Sequence, residues 1–98
     1  MQFSVKVIDY QKNMMLNICD FDLLGKDIVQ DKLTMSISKS YYGEKIVNKE
    51  EAESLLKKSS IINMVGKNSI SLSIELGIGS ENGVKEISGI PFLIVFKI

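Results

Sequence analysis

The sequence contains no histidine, no tryptophan and no arginine, so all twelve basic residues are lysines. Histidine is the usual general base near neutral pH and the commonest metal ligand. Without it, Ser-His-Asp catalysis, Cys-His catalysis and histidine-ligated zinc cannot be built. Arginine usually supplies bidentate recognition of phosphate or guanine, so contacts with nucleic acid would depend on lysine, backbone amides and aromatic rings. We therefore expect a protein that is not an enzyme and that needs no cofactor.

Cysteine and long apolar runs are also scarce. The single cysteine, Cys19, has no partner for a disulfide within the chain, which fits a reducing compartment. The longest apolar run, residues 90–96, is far shorter than the roughly eighteen residues that a membrane-spanning helix needs. The N-terminus alternates apolar and polar residues and lacks the features of a secretion signal. We predict a cytoplasmic protein that makes no membrane contact.

Length and charge set the scale of the protein. Its 98 residues, 45% of them hydrophobic, suit one globular domain, residues 1–98, with a single core. Twelve acidic residues balance the twelve lysines, so the net charge is zero. The domain as a whole has no attraction for polyanions, and any basic surface must be local.

Alternation of apolar and polar residues predicts the strands. Two strands separated by a polar turn at residues 10–13 are close enough to form an antiparallel hairpin. The clearest alternation contains Leu33, Met35 and Ile37 and predicts a strand with one solvent-exposed face. The predicted strands are residues 3–9, 14–19, 32–38, 84–87 and 91–98.

Two segments have helical features. Asn48 precedes acidic residues and an apolar spacing of helical period, which predicts a helix over residues 48–59. Residues 67–77 are ambiguous, because the apolar residues alternate as in a strand while Asn68 or Ser69 could cap a helix that Gly77 ends, and the pattern alone favours the strand. With a helix there, the sequence predicts an α+β domain, an antiparallel-rich sheet of about five strands packed against two helices.

The candidate nucleotide motifs are incomplete. A P-loop needs a glycine five residues before its Gly-Lys pair, and Asp20 and Ile61 stand at those positions before Gly25 and Gly66. Three acidic residues raise the separate possibility of a magnesium-dependent enzyme, because carboxylate oxygens are preferred Mg²⁺ ligands. Its candidate residues are Asp20, Asp22 and Asp27, with Lys26 beside them. We regard turn-capping or solvent-exposed carboxylates as the more economical interpretation of these residues.

A segment rich in lysine and tyrosine offers different chemistry. Tyr41 and Tyr42 lie between Lys39 and Lys45. Aromatic rings can stack on unpaired bases while ammonium groups contact phosphates. A structural role for the tyrosines, anchoring the loop to the core, is the alternative.

Four short segments, in order along nearly the whole chain, resemble a small archaeal family of unknown function that is labelled a predicted RNA-binding protein. The segments are Cys19-Asp20-x-x-Leu23-Leu24-Gly25-Lys26, Tyr41-Tyr42-Gly43, Asn63-Met64-Val65-Gly66 and Ile87-x-Gly89-x-Pro91. The resemblance implies a helix at residues 67–76 and a link to translation. The family often has Pro-His-Ala after its last glycine, whereas this chain has Pro91-Phe92-Leu93, which puts a polar site there in doubt.

Our leading hypothesis is therefore a non-catalytic protein that binds RNA or a ribosomal subunit. Its candidate binding residues are Lys26, Lys39, Tyr41, Tyr42, Lys45 and Lys67, near glycine turns at Gly25, Gly43, Gly66 and Gly89. These glycines could equally serve only to permit positive φ or close packing. The alternative hypothesis is a protein-interaction module that docks a partner or forms a homodimer through the apolar segment 92–96.

Overall fold

The structure, a computed structural model, describes residues 1–97. These residues form eight strands and three helices. In chain order they are β1 (Gln2–Tyr10), β2 (Asn13–Asp20), β3 (Asp27–Gln30), β4 (Leu33–Ser36), α1 (Lys39–Tyr42), β5 (Lys45–Asn48), α2 (Lys49–Lys58), β6 (Ile61–Val65), α3 (Lys67–Glu75), β7 (Lys85–Ile87) and β8 (Ile90–Phe96). The α+β prediction is confirmed.

The strands form two sheets. The main sheet has six strands in the order β5-β1-β2-β6-β8-β7, and β3 pairs with β4 in a separate hairpin. Only β2 and β6 pair in parallel; the other neighbours are antiparallel. The predicted count of about five strands was therefore too low. The strand that contains Leu33 exists, but it belongs to the small hairpin instead of the main sheet.

Tight turns join the antiparallel neighbours. Gln11 and Lys12 both have positive φ in the β1–β2 turn, as do Ser88 and Gly89 in the β7–β8 turn. Positive φ at both central residues is the signature of the type I′ turn, whose twist matches that of the flanking strands. The predicted first hairpin is confirmed. The bend predicted at residues 88–91 is a turn with two central residues, Ser88 and Gly89.

The first face of the main sheet carries the larger core. Phe3, Leu16 and Ile62 are fully buried there against Ala52 and Leu56 of α2. Helix α3 completes the layer with Ile70 and Leu72. Asn48 caps α2 by accepting from the Glu51 amide at 2.9 Å. Both predicted helices are confirmed, including the one whose sequence also alternates like a strand.

The second face of the main sheet is only partly covered. Cys19 and Val65 pack there with Ile28 and Ile37, which come from the β3–β4 hairpin and its following segment. Leu33 and Met35 are 77% and 39% exposed, so the buried face predicted for their strand was wrong at both positions and right at Ile37. Within residues 1–97, no helix is long and apolar enough to span a membrane.

Candidate binding surface

Helix α1 is held on the second face of the main sheet by side chains of the sheet. Three of them donate hydrogen bonds to consecutive backbone carbonyls at the end of this helix. The bonds are Lys6 Nζ to Ser40 O at 2.8 Å, Asn17 Nδ2 to Tyr41 O at 3.1 Å and Ser4 Oγ to Tyr42 O at 2.7 Å. These carbonyls have no partner within a helix this short, so the sheet satisfies them.

Capping residues fix both ends of α1. The Ser38 hydroxyl accepts from the Tyr41 amide at 3.3 Å at the start of the helix. At its end the Gly43 amide donates to Lys39 O at 2.8 Å. A β-carbon on Gly43 would lie under 3.0 Å from that carbonyl oxygen, so only glycine fits without a shift. The position of α1 is therefore set by sequence on both sides of the tyrosines.

The two tyrosines of α1 have different environments. Tyr42 is half-buried against the second core, and burial, followed by the neighbouring Tyr41 and Cys19, raises its pKa to about 12. Tyr41 is 49% exposed. The rings meet edge to face, with centroids 5.1 Å apart and planes at 61°. Tyr42 is thus an anchor, and Tyr41 offers a ring that is available to a ligand.

A groove of about 410 Å³ lies beside Tyr41, and we call it the Tyr41 groove. It runs between α1, strand β4 and the exposed part of the second face. Its lining residues are Met35, Ser36, Ser38, Tyr41, Tyr42, Asn63, Met64, Phe92 and Ile94. The groove is mainly apolar, and the carboxamide of Asn63 is the polar group that the main sheet contributes.

Asn63 is tied to Asn17, which is fully buried. The Nδ2 of Asn63 donates to Asn17 Oδ1 at 2.8 Å, and Asn17 in turn donates to the Tyr41 carbonyl. The Oδ1 of Asn63 makes no hydrogen bond among residues 1–97, and since no buried side-chain oxygen there is left unpaired, this oxygen is open to solvent. This oxygen is therefore available to a ligand in the groove.

A second cleft, of about 260 Å³, lies where β2 and β6 end and β8 begins. Asp20, Gly66, Gly89 and Pro91 line it together, so three of the four family-like segments meet here. The Asp20 carboxylate is buried and accepts from the Asn68 amide at 3.0 Å and from the Ser69 amide and hydroxyl, each at 2.8 Å. Asp20 is thus the N-terminal cap of α3.

The backbone amides that Asp20 caps are the groups that an anionic ligand would need in this cleft. The first amides of α3 are the natural place for an anion, and the protein's own carboxylate already occupies them.

Asp27 lies away from this cleft and accepts from the Ser36 hydroxyl at 2.6 Å. In the described part of the chain no group of three or more His, Cys, Asp or Glu residues could hold a metal ion. Asp20, Asp22 and Asp27 therefore do not come together as ligands of one magnesium ion, the minor possibility raised by the sequence.

The residues predicted to bind RNA separate into several places. Lys39, Tyr41 and Tyr42 belong to α1, and Gly43 caps its end, whereas Gly66, Lys67 and Gly89 line the second cleft. Lys45 forms an exposed ion pair with Glu51 at 2.9 Å. Gly25 and Lys26 join the turn before β3 to Ile37 through backbone hydrogen bonds. The predicted set does not line one cavity.

Cys19 and strand β8 answer two further expectations. Cys19 is fully buried, and its burial, followed by the nearby Asp20 and Asp22, raises its pKa to about 12, as expected of an unreactive thiol in the core. Strand β8 lies between β6 and β7 instead of at the sheet edge, but Ile94 and Phe96 are 57% and 69% exposed. An apolar surface at the end of β8 is therefore present.

Sequence reasoning missed the polar residues under α1. Asn17 and Asn63 each interrupt an apolar strand, and each points to the second face at a paired position. A single polar residue in the middle of an apolar strand is a detectable signal, because burying it requires a hydrogen-bond partner. The partner itself, the Tyr41 carbonyl, could not be found from sequence.

Comparison with known proteins assigns a family. The sequence profile described as "Protein of unknown function (DUF424)" matches residues 8–98. The chain belongs to this family. This DUF424 protein superposes over its full length on 95% of the chain in the structure titled "Crystal structure of an uncharacterized conserved protein from Methanopyrus kandleri", with a TM-score of 0.81 and 20% identity. That likeness shows the fold alone. No functionally curated protein matches the sequence.

The comparisons confirm part of what the family resemblance predicted. Membership of a family of unknown function, with a structural neighbour in an archaeon, is confirmed. The RNA-binding label, the translation link and the absence of catalysis stay predictions.

Proposed function

We propose that this DUF424 protein is a non-catalytic RNA-binding protein of the translation apparatus, and that an unpaired base binds in the Tyr41 groove. The observation that carries the proposal is the placement of Tyr41. Its ring is half exposed at the groove, while its backbone carbonyl is bound to the buried Asn17. A preorganised aromatic ring loses little conformational freedom when a base stacks on it.

The size and lining of the groove support a base as ligand. Its volume of about 410 Å³ falls in the range of about 300–1,000 Å³ that is typical of small-ligand pockets. A mainly apolar lining with a few polar groups suits a nucleobase, which has hydrophobic faces and hydrogen-bonding edges. Stacking on an aromatic side chain contributes about 1–3 kcal/mol per base.

Charge distribution limits how RNA would bind. Lys39 on α1 is exposed next to Tyr41, whereas the Lys6 ammonium already donates to Ser40 O. No lysine is among the residues that line the groove, and the net charge of the whole protein is zero. Binding should then depend on stacking more than on counterion release, and the slope of log affinity against log salt should be about −1, the value for one or two phosphate contacts.

Fluorescence anisotropy with a labelled single-stranded RNA of mixed sequence tests this function. Tyr41→Ala should weaken binding about tenfold or more, because it removes the stacking ring. Tyr41→Phe keeps the ring and should bind like the wild type. Tyr10→Ala is the matched control, since Tyr10 is 62% exposed but lies at the β1–β2 turn outside the groove. Absence of binding at low salt, or equal losses for the two alanine variants, would refute the proposal.

A second candidate function rests on the exposed end of β8. Strand β7 pairs only with residues 90–92 of β8, so Ile94 and Phe96 lie beyond it and are largely exposed. We propose as the alternative a protein-docking surface whose partner is a second copy of the chain. Sedimentation velocity over a wide concentration range tests it. A dimer that Phe96→Lys abolishes and that Ile46→Lys, on the edge strand β5, leaves intact would favour docking. A monomer at every concentration would exclude it.

A further inference from the structure

The side-chain amides under α1 form a chain whose direction is fixed. A backbone carbonyl can only accept a hydrogen bond, so Asn17 must present its NH₂ group to Tyr41 O. The oxygen of Asn17 then faces Asn63, and an oxygen can only accept. Asn63 must therefore present its own NH₂ group to Asn17, as the 2.8 Å bond requires. The two amides cannot flip independently.

This fixed direction determines what Asn63 offers to the groove. With its Nδ2 committed to Asn17, the Oδ1 of Asn63 is the free end of the chain, and it has no partner among residues 1–97. Asn63 is half-buried and lines the Tyr41 groove. An oxygen in this position is an acceptor, so a ligand that covers it must bring a donor or leave it unsatisfied.

The four RNA bases differ in the hydrogen-bond donors at their edges. Adenine, cytosine and guanine carry an exocyclic amino group, which is a hydrogen-bond donor at the base edge; uracil has carbonyl oxygens at its exocyclic positions, and its one edge donor is the ring N3–H between them. Because Tyr41 and Asn63 line the same groove, a base that stacks on the Tyr41 ring can turn its edge towards Asn63. Sites built to accept a hydrogen bond discriminate against ligands that lack the donor, because the buried acceptor is then unpaired.

We propose that Asn63 is a specificity-determining residue, and that the Tyr41 groove selects a base with an exocyclic amino group through Asn63 Oδ1. This inference rests on the proposed RNA-binding function and deepens it. The buried Asn17 sets the direction of the chain, and Tyr41 supplies both the stacking ring and the carbonyl at which the chain begins.

Two synthetic RNAs that differ in one group give the sharpest test. Oligomers of adenosine and of purine riboside have the same stacking surface apart from the 6-amino group. The wild-type protein should bind the adenosine oligomer about tenfold more tightly, the factor expected when a buried acceptor is left unpaired. Asn63→Ala should bind both oligomers equally, whereas Tyr41→Ala should weaken both by the same factor and keep their ratio.

The outcomes separate this inference from the function beneath it. Equal affinity of the wild-type protein for the two oligomers would overturn the role of Asn63 while leaving RNA binding intact. Failure to bind either oligomer, together with failure on RNA of mixed sequence, would overturn both. The comparison of oligomers uses the wild-type chain, so it holds even if Asn63→Ala does not fold.

Discussion

The carboxylate of Asp20 occupies the space above the backbone of Gly66. A β-carbon at position 66 would lie under 3.0 Å from the carboxyl carbon and both oxygens of Asp20. Gly66 also has φ of +108°, which side-chain-bearing residues rarely adopt. The absence of a side chain at 66 lets Asp20 reach the first amides of α3. The aspartate of one family-like segment and the glycine of another therefore form one structural unit.

The first prediction concerns Gly66→Ala. We expect a loss of more than about 3 kcal/mol in the free energy of unfolding, since the new methyl group displaces Asp20 and the backbone is strained. Gly25→Ala is the control, because Gly25 has φ of +87° with nothing within 4 Å of its β-carbon position, and it should cost about 1 kcal/mol. Urea denaturation measures both. Equal losses would show that Asp20 moves aside freely.

Removal of the Asp20 cap should weaken α3. Asp20→Ala leaves the Asn68 and Ser69 amides without their acceptor, and we expect a loss of about 2–3 kcal/mol in the free energy of unfolding. Asp22→Ala, an exposed residue in the same cleft, should change it by less than about 0.5 kcal/mol. Hydrogen exchange at the Ser69 amide should accelerate in the Asp20 variant alone. An unchanged rate would contradict the capping role.

The stability of the fold should fall at alkaline pH. The pKa values of Cys19 and Tyr42 rise from their ordinary 9.0 and 10.0 to about 12, chiefly because burial disfavours the charged forms. The unfolded chain thus binds fewer protons above pH 9, so this stability is complete below pH 9 and is lost as the pH rises towards 12. In the Cys19→Ala variant the loss of stability should begin only near pH 10, because Tyr42, with its ordinary pKa of 10.0, is then the one remaining group of the two. A pH profile of the same shape in both proteins would argue against the buried thiol.

Asn17 and Asn63 should be energetically coupled. A double-mutant cycle with Asn17→Ala and Asn63→Ala should give a coupling energy of about 1 kcal/mol in unfolding, because each residue satisfies the other. Asn17→Ala should also speed hydrogen exchange at the Tyr42 amide, which belongs to α1. Additive single losses would mean that the amide chain does not act as a unit.

Local chemistry explains which parts of the fold the sequence predicts. Asn48 and the acids after it define the start of α2, and the alternation of residues 3–9 and 14–19 defines the first hairpin. Long-range features left no such signal. The parallel pairing of β2 with β6 joins segments about forty residues apart, and α1 depends on hydrogen bonds from β1 and β2. Neither follows from local propensity, because tertiary contacts decide both.

The candidate site was predicted in part for the same reason. The tyrosine pair drew attention to this segment, since adjacent aromatics flanked by lysines are visible in sequence, but we expected a loop where the structure has helix α1. Sequence could not say that Tyr42 turns inward while Tyr41 stays exposed. It also grouped Lys26, Lys45 and Lys67 with the tyrosines, whereas none of the three lines the Tyr41 groove. Their positions depend on topology, which composition does not encode.

A ¹H-¹⁵N NMR titration of the protein with single-stranded RNA at low salt tests most directly whether RNA binds at the Tyr41 groove. We predict that the largest shift changes fall on backbone and side-chain amides around the Tyr41 groove, including the Asn63 carboxamide and the amides of Met35, Tyr41 and Ile94. Amides of α2, on the opposite face of the sheet, should not change. No shift changes, or changes confined to surfaces away from the groove, would contradict the proposed function.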